Sequence, residues 1–349
     1  MTRKFCFTAN ILLAFFANAQ LGGRANFEFL NLPTNARQTA LGSENISISQ
    51  GDNNRFFFNP SSIDSSSQNK VGFSYLSMPA QINAGSASYT FKGKTLFWAA
   101  GIQFVNYGTF QGRDELGDET NQFKASEFAP QIAVSNQLGN FKLGAGSKLA
   151  YSNLAGLTAS ALLFDVGGSF VHPKKDLVIG MVFKNIGFGL SRYTPNSRIT
   201  TPFDLQIGST FKPEHMPVRF SLTLQKLYRY DISYYDPNLG ANRGAVAFTE
   251  REPDFFDKTI RHLVIGTEFV LSKSFHLLAG YNFLRRKELR VEPGSSGWAG
   301  FSFGASLNTK KMNFQFARSI FHNSGALNNF TLNLNFTGMR KKDSVTTSE

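Results

Sequence analysis

A chain of 349 residues with one cysteine and a formal net charge of +12 is long enough for a sizeable core but has no disulfide framework. The 36 Lys+Arg against 24 Asp+Glu are scattered, many in short turns, which argues against a nucleic-acid surface. No run of about 18 apolar residues follows the first twenty, so no transmembrane helix is expected, whereas 37 Phe and 31 Gly point to antiparallel β-structure with close backbone approaches.

Arg3 and Lys4 precede an apolar run from Phe5 to Phe16, and Ala17-Asn18-Ala19 offers a small-x-small cleavage site before Gln20. Residues 1–19 therefore read as a cleavable export signal. Cys6 lies inside it, too early to be a lipidation site, and losing Arg3 and Lys4 lowers the net charge to +10.

The stretch Phe29 to Ser43 comes next. Pro33 and Gly42 bracket helix-compatible residues Thr34 to Leu41, with Thr34 as a candidate cap. Leu30, Leu32, Ala36, Ala40 and Leu41 form an apolar side, and Arg37 is the only charge. Such a segment suits the plug of a wide β-barrel, and equally an N-terminal helix on a soluble domain. Ser43 to Lys70 reads as polar loop, with Asn59-Pro60 and Ser65-Ser66-Ser67.

From Val71 onward the pattern is alternation. Phe330-Thr-Leu-Asn-Leu-Asn-Phe336 is apolar at every second residue, and Met312 to Phe316, Phe301 to Leu307, Phe203 to Ile207 and Phe220 to Leu224 repeat this. Fourteen strands are predicted, starting near 71, 81, 94, 123, 141, 157, 176, 203, 216, 259, 274, 298, 311 and 327. Tight turns at 92–94, 139–140, 172–175, 212–214, 272–273 and 309–310 alternate with longer segments at 108–122, 191–202, 231–258 and 286–297. Short turns at one end and long loops at the other characterise outer-membrane barrels. A soluble sandwich would not explain the alternation, and fourteen strands enclose more volume than inward side chains fill.

The fold expected is all-β: a transmembrane antiparallel barrel at 71–338, an N-terminal plug and periplasmic segment at 20–70, and a polar tail at 339–349. Lipid contact cannot hold charge cheaply, so Lys148, Asp165, Lys184, Arg219 and Glu268 are assigned to the lumen. Phe91, Phe141, Phe211, Tyr228, Phe275 and Phe321 lie near strand ends, as interfacial aromatics do.

Enzyme-like fragments do not hold. Ser67-x-x-Lys70 lacks the companion motifs of serine acyl-enzymes, and Gly93-Lys94-Thr95 lacks the upstream glycine and following helix of a phosphate loop. Histidines 172, 215, 262, 276 and 322 show no metal-ligand spacing, although His262 and Glu268 can share a strand face. Gly112 to Glu119 carries four carboxylates without calcium-loop spacing. No cofactor, metal or catalytic residue is expected. Two outer-loop features read as partner contacts: Phe255 and Phe256 in an acidic setting, and the basic cluster Arg285, Arg286, Lys287 and Arg290, suited to lipopolysaccharide or an acidic partner.

Phe29-Leu30-x-Leu32-Pro33-x-x-Ala36-Arg37-x-x-Ala40-Leu41-Gly42, after Gly22-Gly23 and before Asn59-Pro60, resembles the PorV/PorQ group of FadL-like outer-membrane barrels of the type IX secretion system. Tyr107-Gly108, Lys184-Asn-Ile-Gly187, Gly280-Tyr-Asn282 and Gly300-Phe-Ser-Phe-Gly304 bring it closest to the PorQ members. The resemblance implies a fourteen-stranded barrel whose plug contains Phe29, Leu30, Leu32, Pro33, Ala36, Arg37, Leu41 and Gly42. It also implies a non-enzymatic place in a cell-surface attachment complex, beside a PorU-like sortase, a PorZ-like partner and a PorV-like barrel, in outer-membrane lipid and lipopolysaccharide. The alternative is a FadL-like transporter of hydrophobic small molecules. The chain continues past Phe336 through Arg340 to Glu349, unlike barrels that end on an aromatic.

Overall fold

The computed structural model describes residues 25–47, 52–233, 253–289, 297–322 and 325–336. The export signal, Arg290, the loop tips and the C-terminal tail lie outside them. Fourteen antiparallel strands close into a barrel, each paired with its sequence neighbours and β1 with β14. They are β1 Lys70–Ser77, β2 Asn83–Lys92, β3 Phe97–Arg113, β4 Glu119–Leu138, β5 Phe141–Leu154, β6 Leu157–Val171, β7 Asp176–Ser191, β8 Asp204–Lys212, β9 Val218–Leu224, β10 Leu263–Val270, β11 Phe275–Asn282, β12 Phe301–Asn308, β13 Met312–His322 and β14 Gly325–Asn335.

The alternation is inside out relative to a soluble barrel. In β14, Asn329, Thr331 and Asn333 are buried and Phe330 is exposed; in β13, Gln315 and Ser319 are buried while Met312 and Phe314 are exposed. The exposed apolar side chains continue around the wall, through Phe73, Ile132, Phe164, Ile179, Phe220 and Phe303. Water would oppose so large an apolar exterior, and a bilayer removes that cost. The barrel therefore reads as membrane-spanning, with the polar set turned to its lumen.

Connections at 93–96, 139–140, 172–175, 213–217, 271–274 and 309–311 are short and share one end; 192–203, 225–262 and 283–300 lie at the other. Residues 108–122, expected as a long loop, instead extend β3 and β4 into a tall hairpin joined by 114–118. Asp114 there accepts the amides of Leu116 and Asp118, so the acidic stretch is a turn, and no group of metal-binding side chains occurs among the described residues. Phe91, Phe141, Phe211 and Tyr228 are exposed near strand ends and Phe275 is half-buried; the side chain of Phe321 lies outside the described residues.

Candidate functional site

The lumen is occupied by the chain's own N-terminal segment over the barrel's length. At the long-loop end, Asn26 and Thr200 exchange two hydrogen bonds, N–H to O at 2.8 Å and N–H to Oδ1 at 2.9 Å. At the other end the segment runs into β1. Residues 43–70, expected as polar loop, are part of this filling: short 3-10 turns at Asn54–Phe57, Pro60–Ser62 and Ser65–Ser67 carry Phe56, Phe57 and Phe58 into the lumen. The lumen of a wide barrel is filled by water or by the chain itself, and local composition does not reveal which.

The helix expected over 34–41 is a single turn, α1 Ala36–Ala40. Asn35, not Thr34, is its cap, accepting the Gln38 amide at 2.7 Å, while the Thr34 hydroxyl donates to the Asn54 carbonyl at 3.2 Å. A polar wall holds α1: Ala36 N–H donates to Thr331 Oγ1 at 2.8 Å, Arg37 N–H to Gln315 Oε1 at 3.1 Å, and Asn329 Nδ2 to Thr39 Oγ1 at 2.9 Å. Gly42, at φ +93°, ends the turn, and its carbonyl accepts from Asn282 Nδ2 at 3.1 Å. Gly280 of β11 and Gly144 of β5 let the plug backbone touch the wall: a Cβ on either would overlap Leu41–Gly42 or Pro60–Ser61.

Buried charge concentrates at the plug–wall contact. Arg37 pairs with Glu268 of β10, which also accepts from Arg219 at 2.8 Å and contacts His276 Nδ1 at 2.7 Å; Arg219 reaches Asp176 at 3.0 Å. His262 is not Glu268's partner. Its ring nitrogens contact the carbonyls of Gln225 and Tyr230, tying the loop base together. Lys148 pairs with Asp165 at 2.7 Å. A register shift opposite Phe164 and Val166, with Asn185 at φ 59°, turns both Lys184 and Asn185 inward, and Lys184 Nζ sits 4.4 Å from the Phe58 ring centre. Asn185 and Gly187 within one strand were the sequence signal for that bulge.

Asp64, outside the strands, holds the lower plug to β5. Burial would raise its carboxyl, but Arg55 at 3.0 Å and Lys142 at 2.7 Å hold it down at about 2. The folded pKa lies below the ordinary 3.8, so this stabilisation is present above about pH 4 and is lost as pH falls through 2. At about 1.4 kcal/mol per unit, the contribution is about 2 kcal/mol. The midpoint for loss of heat-modifiability is expected to fall between pH 4 and 2, and Asp64→Asn to flatten that dependence.

The outer lumen is largely apolar, with the buried Glu127 accepting from the Tyr107 hydroxyl at 2.5 Å. Phe27, Phe29 and Leu30 pack against Leu76, Ala84, Val105, Ala129, Ala150 and Leu163, with a cavity of about 10 Å³ beside Phe29, Leu32 and Pro33. Next to it, β7 runs on to Ser191 whereas β8 begins at Asp204 opposite Lys184, so β7 beyond Lys184 has no β8 partner. The 192–203 connection covers this break, through Pro202 O accepting from Asn185 Nδ2 at 2.8 Å and Ile199 over Gly189.

At the rim, helix α2 Phe255–Ile260 leaves Phe255 and Phe256 at 76% and 69% exposure. Of the basic cluster, Arg285 and Arg286 are half-buried, Lys287 is exposed beside Asp257, and Arg290 lies outside the described residues. In helix α3 Phe283–Glu288, Arg285 donates to Ser43 Oγ at 3.0 Å and Ser319 Oγ at 3.2 Å, and Arg286 to the Gly297 carbonyl. A helix following Asn282 turns these guanidinium groups back onto the plug and the loop base, which charge clustering alone cannot show.

No protein-family profile and no curated protein matches the chain. Among solved structures it is similar to the toluene transporter TodX of Pseudomonas putida, at 14% identity over 86% of this chain and 96% of that one, with a TM-score of 0.52. A structure described as the TodX monoaromatic hydrocarbon channel deltaS2 mutant aligns at 13% identity over 87% and 98%, with a TM-score of 0.53. At such identity the likeness is one of fold alone, a closed antiparallel β-barrel.

Proposed function

We propose that the chain is an outer-membrane barrel that admits apolar small molecules at its outer mouth and is gated by its N-terminal segment. The observation that carries this reading is the alanine-lined apolar mouth, where Phe27, Phe29 and Leu30 occupy the place an apolar solute would take, beside the unpaired edge of β7. The likeness to a toluene transporter supports it, although a fold hosts many functions. Its test is uptake: proteoliposomes containing the protein should accumulate labelled toluene faster than empty ones. A rate equal to that of empty liposomes ends the reading.

A second reading, as an attachment scaffold of type IX secretion, follows from the N-terminal motif and is favoured by two features. Below its apolar mouth the lumen is packed by the plug against a mostly polar wall, and α2 presents two aromatic rings outward, the side chains that most often anchor protein contacts. Affinity purification from detergent-solubilised membranes should then recover a surface partner, and shortening residues 231–258 should release it with the barrel intact. Recovery of the barrel alone sinks this reading. The comparisons favour the first and offer nothing on the second.

A further inference from the structure

Between plug and wall lies a small cavity of about 10 Å³, lined by Arg37, Leu41 and Asn45 of the plug and Thr210, Arg219, Ser221 and Glu268 of the wall. Its polar lining is biased towards donors. Arg37 Nε, Asn45 Nδ2 and Arg219 Nε are buried without a hydrogen-bond partner, and Arg37 and Asn45 are each only 5% exposed. Asn45 Oδ1 is engaged by Ser47, which fixes the amide with its nitrogen free. Thr210 Oγ1 is held by Ser47 Oγ at 2.7 Å.

The lining residues taken alone have the same sense. Two guanidinium groups line the cavity against one carboxylate, and Glu268 is already engaged by Arg37, Arg219 and His276. Asp176 meets Arg219 from outside the cavity lining, at 41% side-chain exposure. Buried donors left unmade cost about 1–3 kcal/mol each, more when charged. A water accepts two hydrogen bonds, whereas a monatomic anion can accept from all three donors. The volume admits one small particle.

We infer that this cavity is a binding site for a single halide ion, which ties Arg37 and Asn45 of the plug to Arg219 of β9. The site lies below the apolar mouth, and the inference is independent of whether the barrel conducts solutes or anchors a partner. Anything that binds only the plugged state favours it by the factor 1 + [L]/Kd. Opening of the plug is then suppressed about elevenfold when chloride stands at ten times its dissociation constant.

The test uses the full-length barrel in detergent, with a cysteine at Ala36 reporting plug opening by its rate of alkylation. Replacing sodium gluconate by sodium chloride at constant ionic strength should slow alkylation progressively towards that limit. Asn45→Asp places a carboxylate against the two guanidinium groups; it should alkylate slowly in both salts and lose the halide dependence. Crystals grown in sodium bromide should show one anomalous peak in the cavity, absent in Asn45→Asp. Equal rates in gluconate and chloride, a halide dependence that survives Asn45→Asp, or a cavity without bromide would each overturn the proposal.

Discussion

Glu268→Ala is expected to be the most destabilising substitution at the plug–wall contact. It leaves Arg37 and Arg219 without the carboxylate between them, and removing one partner of a buried ionic cluster costs about 3–5 kcal/mol. Arg37→Leu is expected to cost less, about 1–3 kcal/mol, because Glu268 keeps Arg219 at 2.8 Å and His276 at 2.7 Å. The double variant Arg37→Leu, Glu268→Ala should be no worse than Glu268→Ala alone, since it removes the buried cation that Glu268 alone had paired, while Arg219 keeps Asp176 at 3.0 Å. Heat-modifiability midpoints for the three proteins check this ordering. Equal losses in the two single variants would mean that Glu268 does not organise the cluster.

Gly280→Val is expected to expel the helical turn of the plug while leaving the barrel closed. Its Cβ would overlap the backbone of Leu41 and Gly42, which has no flexible end to move aside. The wall cannot yield either, because β11 is paired along its length with β10 and β12. A cysteine at Ala36 should then react with bulky reagents nearly as fast as one in an outer loop, and single-channel conductance in planar bilayers should rise. Gly168→Ala is the control, since its Cβ would meet Leu143 at an ordinary 3.6 Å. Unchanged alkylation in Gly280→Val would show that the plug is held elsewhere, at Arg55, Asp64 and Lys142.

Strand number and strand direction were legible in the sequence because a membrane barrel writes them twice. Side chains alternate with period two between lipid and lumen, and every connection at one end is tight while the long ones all fall at the other. Phe330 to Phe336 carried the first signal, and Gly139-Asn140 and His172 to Lys175 the second. The charges also had only one affordable place: Lys148, Asp165, Lys184, Arg219 and Glu268 are on the lumen side because lipid could not solvate them. That Pro33 and Gly42 delimit a short piece with one cation was equally local, since both act through their own backbone angles.

Only the tertiary structure decided which groups meet. Arg37 is about 230 positions from Glu268, and Asn45 and Ser47 are brought to Arg219 and Thr210 by closure of the barrel, which no periodicity encodes. Phe56 to Phe58 read as part of a polar loop because a lumen turns the usual rule around: the wall is polar, and apolar plug side chains are buried against its glycines and alanines. Arg285 read as surface charge because the helix after Asn282 aims its guanidinium at Ser43 of the plug and Ser319 of the wall, a meeting that local spacing does not show. Local spacing determines what each strand faces. The partner across the lumen is set by closure, because side chains far apart in sequence meet only once the wall has curved around the segment it encloses.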